Sequence, residues 1–561
     1  MNMFRRRGMN AAKRVQGAAI RLSDSRARAM RRLYRNHASK QTAKVVLFWV
    51  PGGMPQMLHL EGAIAAGLRL RGVSVVAVLC DGPFRACVRR EIGDGTQVAD
   101  WPALCGGCFA ATSRVLHDMD VPYIGMSELV SAELREQLWA TTESVTWESI
   151  GSVEYDGVSV GKNIRSAITR YLQGHDISGH EDIVREYAYS ALVSAAAASE
   201  AINRIKPSRI FMSHGTYVDW GPALHVALAR ATPVAAWMAS YLPWRFYFRH
   251  VEDGVHIDFH NLTAAAWHDR ASTPLNESEQ HRLDAFLSSR YHKHVSFDMR
   301  QFKHFTGDTD ELRKRLGLGT DKPVWGIMTH INWDCVSDYS PMTYESFDEW
   351  VVATIREIID IPDVQWLVKI HPAEAWDNPH SGVQRLIQKE FPTLPSHIRV
   401  VTAEDEVSPL DFFNLVDGAV TVYGTSGLEV ALQGKPVILA GEAHYGMKGF
   451  THDALTARDY LALLRRASSL EPLTEQQHNL ARQYAYCYFV QRQVPVAAVR
   501  DPKSTWWSFQ YDKRDSLIPG SDAHMDFICD RMLDGEDFVM DDELVTLAER
   551  IPSTLAETAD V

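Results

Sequence analysis

The stretch 420–441, VTVYGTSGLEVALQGKPVILAG, begins as an apolar strand, breaks at Gly424 and Gly427, becomes helical and ends in a second apolar strand. Short apolar strands separated by a helix are typical of a parallel sheet with helices on both faces. Glycines let the backbone approach a ligand, and the helix that follows presents unpaired N–H groups and partial positive charge. The pattern therefore predicts an anion site in which Thr425 and Ser426 supply hydroxyl groups.

The same break has a simpler interpretation, in which Thr425 or Ser426 caps the helix and Glu429 completes the capping interaction. In the anion-site interpretation, Glu429 lies in the first helical turn and would accept a hydrogen bond from a ribose hydroxyl. These residues alone leave both interpretations open.

The alternation of strand and helix extends over residues 320–470. Strand patterns VWGIMTHI, VQWLVKIHP and IRVVTA alternate with helix patterns SFDEWVVATIREIID, GVQRLIQKEF and PLDFFNLVD. An earlier strand–helix–strand unit occupies residues 44–82, and the pattern returns over residues 191–237. We therefore predict an α/β fold with two Rossmann-like, doubly wound parallel-sheet domains that face a central cleft, followed by C-terminal helices.

This pattern divides the chain into four predicted parts. They are a basic N-terminal arm (1–44), an N-terminal Rossmann-like domain (45–305), a C-terminal Rossmann-like domain (306–475) and a C-terminal helical extension (476–561).

Polar side chains end two strands of the second domain. Lys369 and His371 close an apolar run, where they are costly unless they have a partner, and an anionic ligand would be one. Pro372 prevents the strand from continuing normally. Thr329 and Asn332 follow the first strand of this domain, together with His330 and Asp334. A satisfied structural histidine remains the alternative for His371.

The first domain offers two candidate features at strand ends. Gly52 and Gly53 end its first strand and form a glycine loop, which we expect at the cleft. His214 follows a later strand, in FMSHGTYVDWG, and is a candidate general base because neutral imidazole takes a proton near neutral pH.

The charge of the chain is divided unevenly. Residues 1–44 hold 13 Lys and Arg against one acid, whereas the rest holds 45 basic and 69 acidic residues. The acidic body argues against nucleic-acid binding, which needs a basic surface. The arm has a weak apolar face at helical spacing, so it would either lie on an anionic membrane surface or form a solvated tail. The sequence contains no apolar run long enough to span a bilayer.

Seven cysteines in a chain of this size do not indicate a disulfide scaffold, so we expect a reducing cytoplasm. Four of them cluster, at Cys80, Cys87, Cys105 and Cys108. The pair at Cys105 and Cys108 resembles a zinc knuckle, and four thiolates would form a tetrahedral structural zinc site. Reduced structural thiols are the alternative.

The segment TVYGTSGLEVALQGKPVILAGEAHYGMKGFTHDA, with KIHP about 50 residues earlier, resembles the capsule polysaccharide biosynthesis and export proteins, which are GT-B-like glycosyltransferases that include Kdo transferases. The likeness is good over residues 320–460, looser over 45–250, and absent from the arm and the C-terminal tail.

The resemblance implies a donor nucleotide in the second domain and a glycan or lipid-linked glycan acceptor in the first. His371-Pro372 and Thr425-Ser426, with Gly427, would hold the nucleotide phosphate, and Lys369 and Glu429 would support phosphate and ribose. Thr329 and Asn332 are further candidates for binding the nucleotide-sugar, and we expect the glycine loop of Gly52 and Gly53 on the acceptor side of the cleft. An acidic motif of some relatives matches residues 252–254, which makes Asp253 a second candidate base beside His214.

The implied reaction is displacement at the anomeric carbon of a nucleotide-activated sugar, such as a CMP-activated acidic sugar, with no metal required. The expected location is the cytoplasm or the inner face of the cytoplasmic membrane. The alternatives are a UDP-N-acetylglucosamine 2-epimerase, a polyol-phosphate transferase of the teichoic-acid type, and an export component without turnover.

Overall fold

Two sheets organise the part of the chain that the computed structural model describes. The described residues are 23–251, 260–292, 306–335, 338, 341–374, 382–405, 407–501, 503–504 and 506–551. Each sheet contains a run of parallel strands, as the strand–helix alternation predicts, and the predicted fold class is confirmed.

The first sheet has seven strands in the order β3-β2-β1-β6-β7-β8-β15. The strands are β1 (Val45–Trp49), β2 (Ser74–Leu79), β3 (Tyr123–Gly125), β6 (Arg209–Ser213), β7 (Val234–Ala239), β8 (Arg245–Val251) and β15 (Val494–Pro495), and a separate hairpin joins β4 (Glu154–Tyr155) to β5 (Val158–Ser159). The five strands β3, β2, β1, β6 and β7 are parallel to one another, whereas β8 pairs antiparallel with β7 and β15 pairs antiparallel with β8. The parallel part has the strand order of a Rossmann fold.

Helices connect and cover these strands. They are α1 (23–37), α2 (Pro55–Leu70), α3 (Trp101–Asp118), α4 (Met126–Leu129), α5 (Ala132–Thr141), α6 (Gly161–Leu172), α7 (Asp182–Ile205) and α8 (Tyr217–Ala229). Helix α7 is the Ala-rich helix expected from the sequence, and its small side chains pack it closely against α8.

The second sheet has six strands, all parallel, in the order β11-β10-β9-β12-β13-β14. The strands are β9 (Val324–Met328), β10 (Gln365–Lys369), β11 (Ile398–Val401), β12 (Gly418–Thr421), β13 (Val437–Leu439) and β14 (His452–Asp453). Numbered along the chain this is 3-2-1-4-5-6, the order of a dinucleotide-binding Rossmann sheet.

Further helices complete the second domain and the C-terminal segment. They are α9 (Ala264–Ala271), α10 (Glu277–His292), α11 (Thr309–Arg315), α12 (Phe347–Ile358), α13 (Val383–Glu390), α14 (Pro409–Leu415), α15 (Thr425–Ala431), α16 (Ala457–Arg465), α17 (Glu475–Tyr486), α18 (Ala523–Asp534) and α19 (Asp542–Glu549). A π-helical turn, Cys487–Gln491, follows α17.

The strands of the second sheet alternate between two apolar layers. Trp325 and Ile327 of β9 face one layer, whereas Val324 and Met328 face the other. Successive side chains of a strand point to opposite faces, so a sheet covered on both sides needs an apolar residue at nearly every position. This explains why the strands of this domain are continuous apolar runs.

The basic arm differs from the prediction over its described part. Residues 23–37 form α1, and Met30, Leu33 and Tyr34 of that helix are buried in the core of the first domain. Arg26 also pairs with Asp118 of α3 at 3.2 Å. The apolar face that we assigned to a membrane surface or a solvated tail is therefore used for packing within residues 23–37, and residues 1–22 lie outside the described residues.

The boundary predicted at residue 305 also differs from the packing. Leu262 and Leu283, which we assigned to the first domain, lie in an apolar core of the second. In the predicted C-terminal extension, β15 joins the edge of the first sheet, and α18 packs against α2. The C-terminal segment therefore crosses both domains. Within the described residues, no helix is both long and apolar enough to cross a membrane.

The buried carboxyl of Glu61, on α2, predicts how the stability of the first domain depends on pH. Its side chain is buried and accepts a hydrogen bond from Trp237 Nε1 at 3.1 Å, and burial raises the pKa of the carboxyl to about 8. Between pH 4.5 and 8 the folded chain keeps a proton that the unfolded chain releases, so the free energy of unfolding falls as pH rises through this window. We expect Glu61→Gln to remove this fall, worth on the order of 5 kcal/mol, and to raise the thermal midpoint at pH 8. The control is Glu136→Gln, at an exposed glutamate. If the free energy of unfolding depends on pH in the same way for Glu61→Gln, for this control and for the unaltered chain, the expectation is contradicted.

Candidate functional site

The order of the second sheet reverses between β9 and β12, which are neighbours although β10 and β11 lie between them in the chain. Loops that leave neighbouring strands in opposite directions at such a point open a crevice at the carboxyl ends of the strands. The segment that follows β12 is GTSGLE, and the polar ends of β9 and β10 lie beside it.

A cavity of about 230 Å³ occupies this crevice. It is lined by Tyr241, Arg290, Met328, Thr329, His330, Lys369, Ile370, His371, Pro372, Pro409, Phe412, Phe413, Gly424, Thr425, Ser426 and Glu429. The structure thus brings together six of the eight residues that the sequence assigns to nucleotide-sugar binding. Tyr241 follows β7 of the first sheet, so the cavity also lies between the two domains.

Thr329 fixes the polar turn after β10. Its hydroxyl donates to the carbonyl oxygen of Lys369 at 3.0 Å and accepts a hydrogen bond from the backbone N–H of His371 at 3.1 Å. His371 Nδ1 accepts from the N–H of Ala373 at 3.2 Å. The neutral His371 ring therefore carries its proton on Nε2, where it is a hydrogen-bond donor. Lys369 and His371 are half-buried, and both line the cavity.

The start of α15 excludes the interpretation as a simple side-chain cap. The N-cap residue is Gly424, and the helix has no side-chain cap. The Thr425 hydroxyl instead lies 2.8 Å from Tyr241 Oη of the first domain, and Tyr445 Oη donates to the carbonyl oxygen of Gly424 at 2.6 Å. Ser426 also lines the cavity. Thr425 and Ser426 therefore line the cavity, and neither hydroxyl caps the helix.

Gly427 and Glu429 have structural partners. The N–H of Gly427 donates to the carbonyl oxygen of Gly424 at 3.0 Å, and a side chain at this position would meet Tyr445 Oη. We therefore correct the binding role of Gly427 to one of close packing. The carboxylate of Glu429 pairs with Arg290 Nε at 2.7 Å, and each side chain is 4% exposed. Glu429 does line the cavity, and its contact with a ribose remains a prediction.

Most of the residues that line the cavity belong to one segment of the chain. Residues 341–488, about a quarter of the chain, match the family model described as capsule polysaccharide biosynthesis protein. Over these residues the chain is similar to the capsule polysaccharide biosynthesis family. We refer to residues 341–488 as the capsule-synthesis segment. It contains Lys369, His371 and Thr425, whereas Tyr241 and Arg290 reach the cavity from outside it.

Solved structures with a likeness to the chain have low sequence identity. A β-Kdo 2,4-transferase, KpsC of Thermosulfurimonas dismutans, is 14% identical over 56% of this chain and 87% of that chain, with a TM-score of 0.31. A UDP-GlcNAc 2-epimerase from Neisseria meningitidis, bound to UDP-GlcNAc, is 10% identical over 78% of this chain and 95% of that chain, with a TM-score of 0.25. No curated protein sequence matches the chain.

His330 supports the loop between β12 and α15. Its Nε2 accepts from the N–H groups of Val422 and Tyr423, each at 3.3 Å, and its ring stacks on Phe347 at 4.6 Å. Burial, with a smaller contribution from His371, lowers the pKa of His330 to about 3. The ring is therefore neutral and holds the loop after β12 in place.

Three predicted residues lie away from the cavity. Asn332 donates to Asp348 Oδ1 at 2.7 Å and does not line the cavity. Gly52 and Gly53 end β1 of the first sheet with φ of 96° and 87°, a conformation that favours glycine. Their role toward an acceptor remains a prediction.

Of the two candidate bases, the structure describes His214. His214 lies beside Trp220, with ring centroids 4.6 Å apart, and burial lowers its pKa to about 4. It is absent from the cavity lining, and its role as base remains a prediction. Asp253 lies outside the described residues.

The predicted zinc site is not formed. Cys105 and Cys108 both lie on α3, so the expected knuckle turn is a helix. No group of three or more His, Cys, Asp or Glu side chains suited to a metal occurs in the part of the chain that the structure describes, which includes all four cysteines. Burial raises the pKa of Cys80 to about 12, as expected for a structural thiol. The sequence spacing was misleading because a C-x-x-C pair also fits one helical face.

Sequence analysis missed four residues at the crevice: Tyr241, Arg290, His260 and His444. The first three come from segments distant in sequence from the capsule-synthesis segment and carry no local motif. His444 lies in GEAHYG, directly after β13, and its position at a strand end was a signal that could have identified it.

Proposed function

We propose that the chain is a glycosyltransferase that moves a sugar from a nucleotide-activated donor to a glycan acceptor in the synthesis of a surface polysaccharide. One observation carries the proposal: Lys369, His371, Thr425 and Ser426 line one cavity at the switch point of a Rossmann sheet, within the capsule-synthesis segment. Ligands of such sheets bind at this place.

The cavity residues suit a phosphate that leaves with the nucleotide. Lys369 would place its positive charge beside the phosphate, and the Nε2–H of His371 and the hydroxyls of Thr425 and Ser426 would donate to its oxygens. Such donors stabilise the negative charge that develops on the leaving group in the transition state. We propose that these groups suffice without a metal ion, so turnover should persist in EDTA.

In the proposed reaction the acceptor hydroxyl oxygen forms a bond to the anomeric carbon. The bond between that carbon and the phosphate oxygen of the nucleotide breaks, and the hydroxyl proton passes to a base. His214 and Asp253 remain the candidate bases. A CMP-activated acidic sugar is the first donor to test, and the acceptor is a glycan or lipid-linked glycan bound toward the first domain. We further propose a cytoplasmic location, with residues 1–22 as the part of the arm able to contact an anionic membrane.

The test is a nucleotide-release assay with CMP-, UDP-, CDP- and GDP-activated sugars, with and without an acceptor glycan and in the presence of EDTA. We expect release of one nucleotide that depends on the acceptor. Interconversion of the sugar without an acceptor would instead support an epimerase, and transfer from CDP-glycerol would support a polyol-phosphate transferase. Nucleotide binding with no turnover on any acceptor would support a non-catalytic export component.

A further inference from the structure

A second chamber of about 210 Å³ adjoins the nucleotide cavity. The two share His330, His371, Gly424 and Thr425, so the loop that begins α15 separates them. The second chamber is also lined by His260, Ile331, Asp334, Phe347, Tyr423 and His444. It therefore adjoins the place where a nucleotide phosphate would lie.

His444 has a fixed tautomer in this chamber. Tyr484 Oη donates its only hydrogen to the carbonyl oxygen of His444 at 2.7 Å, and the same Oη lies 2.8 Å from His444 Nδ1. Because the tyrosine hydrogen is already used, Nδ1 must carry the proton and donate it to Oη. Nε2 of the neutral ring therefore bears a lone pair and is a hydrogen-bond acceptor.

The surroundings keep His444 neutral. The residue is 2% exposed, and burial together with the electrostatic effect of His260, Arg492 and Lys448 lowers the pKa of His444 well below its ordinary value. The ring of His260 lies 5.3 Å from the ring of His444. Protonation on Nε2 would add a positive charge to this group, so Nε2 stays an acceptor at neutral pH.

Nε2 of His444 is buried and has no hydrogen-bond partner among the described residues. A buried acceptor left unpaired costs about 1–3 kcal/mol, and such atoms are uncommon in folded proteins. An unpaired acceptor on a residue that lines a chamber indicates a ligand with a hydrogen-bond donor. A carboxylate or phosphate oxygen would be repelled by the lone pair, whereas a hydroxyl group fits.

We propose that the second chamber holds the sugar ring of the donor and that His444 Nε2 accepts a hydrogen bond from one of its hydroxyl groups. This inference rests on the proposed function, because it requires a nucleotide in the first cavity. His444 is then a residue that determines donor specificity, and Tyr484 is the residue that holds its tautomer. A site built to bond a hydroxyl discriminates strongly against a sugar that lacks it, because the buried acceptor is left unpaired.

The experiment compares binding of the free nucleotide with binding of the nucleotide-sugar by calorimetry. We expect His444→Leu to leave affinity for the nucleotide unchanged and to weaken the nucleotide-sugar about 10- to 100-fold, the effect of an unpaired buried group. His444→Gln, whose amide oxygen lies near the place of Nε2, should recover most of this loss. Tyr484→Phe should give an intermediate loss, since the ring is then free to change tautomer.

A series of donors that each lack one hydroxyl identifies the bonded group. One of these donors should bind the unaltered chain about 10- to 100-fold more weakly than the parent donor does. On His444→Leu, the same two donors should bind with equal affinity. If His444→Leu binds the parent nucleotide-sugar as tightly as the unaltered chain, Nε2 meets only water and the inference is overturned. If it weakens nucleotide and nucleotide-sugar equally, the inference is also overturned. If no nucleotide binds the unaltered chain, the proposed function fails first.

Discussion

Lys369→Met lowers the rate of sugar transfer by about 10²- to 10³-fold in our account, the loss measured when one stabilising donor is removed from a transition-state site. Methionine keeps the unbranched stem of lysine but removes the charge of a residue that lines the cavity. Because charge on the leaving phosphate increases toward the transition state, the turnover number should fall more than the donor affinity. The measurement is steady-state nucleotide release at saturating acceptor.

The matched control is Lys389→Met, at an exposed lysine on α13 of the same domain. It removes the same charge from the surface and should leave the rate unchanged. If the two variants transfer sugar at the same rate, Lys369 does not contact the departing phosphate. A fall in donor affinity alone, with an unchanged turnover number, would instead show that Lys369 contributes equally to substrate and transition state.

Glu429→Leu should lower the free energy of unfolding by about 3–5 kcal/mol. The carboxylate lies 2.7 Å from Arg290 Nε, each side chain is 4% exposed, and the Arg290 guanidinium also lies 4.6 Å from the centre of the Tyr241 ring. Removal of the carboxylate leaves a buried positive charge without this counter-ion, and desolvation of that charge is costly. Urea denaturation gives the change.

The double variant Arg290→Leu with Glu429→Leu separates the pair from the packing around it. When both charges are removed together, no uncompensated charge remains, so the loss should be smaller than for Glu429→Leu alone. Additive losses in the two single variants and the double variant would show that the ion pair contributes nothing. In that case the Glu429 carboxylate would be available to accept a hydrogen bond from a ribose hydroxyl, as the sequence predicts.

The sequence was sufficient to predict the two sheets. A parallel strand covered on both faces must be apolar at nearly every position, so strands such as β9 and β10 are visible as continuous apolar runs between amphipathic helices. The sequence does not show in the same way which other segment an apolar face packs against. Met30 and Leu33 lie on a basic segment, and nothing local to it shows that they are buried in the first core. The boundaries 44 and 305 therefore differ from the packing.

The site was predictable where it follows strand ends. Lys369, His371 and Thr425 could be found because carboxyl ends of parallel strands share one edge of the sheet. Tyr241 and Arg290 could not be found in this way, because each lies more than a hundred residues before its partner in the cavity, Thr425 and Glu429 respectively. The partner of Glu429 was missed for the same reason: a sequence motif shows the carboxylate but not the guanidinium that folding brings to it.

The central claim is that the cavity at the switch point of the second sheet binds the nucleotide of an activated sugar. Calorimetric titration of CMP, UDP, CDP and GDP into the unaltered chain and into His371→Ala and Ser426→Ala tests it most directly. Our account predicts that one nucleotide binds at one site per chain and that each substitution weakens it by about tenfold, the effect of one lost hydrogen bond to a charged group. The absence of binding by all four nucleotides, or equal affinity in all three proteins, would contradict it.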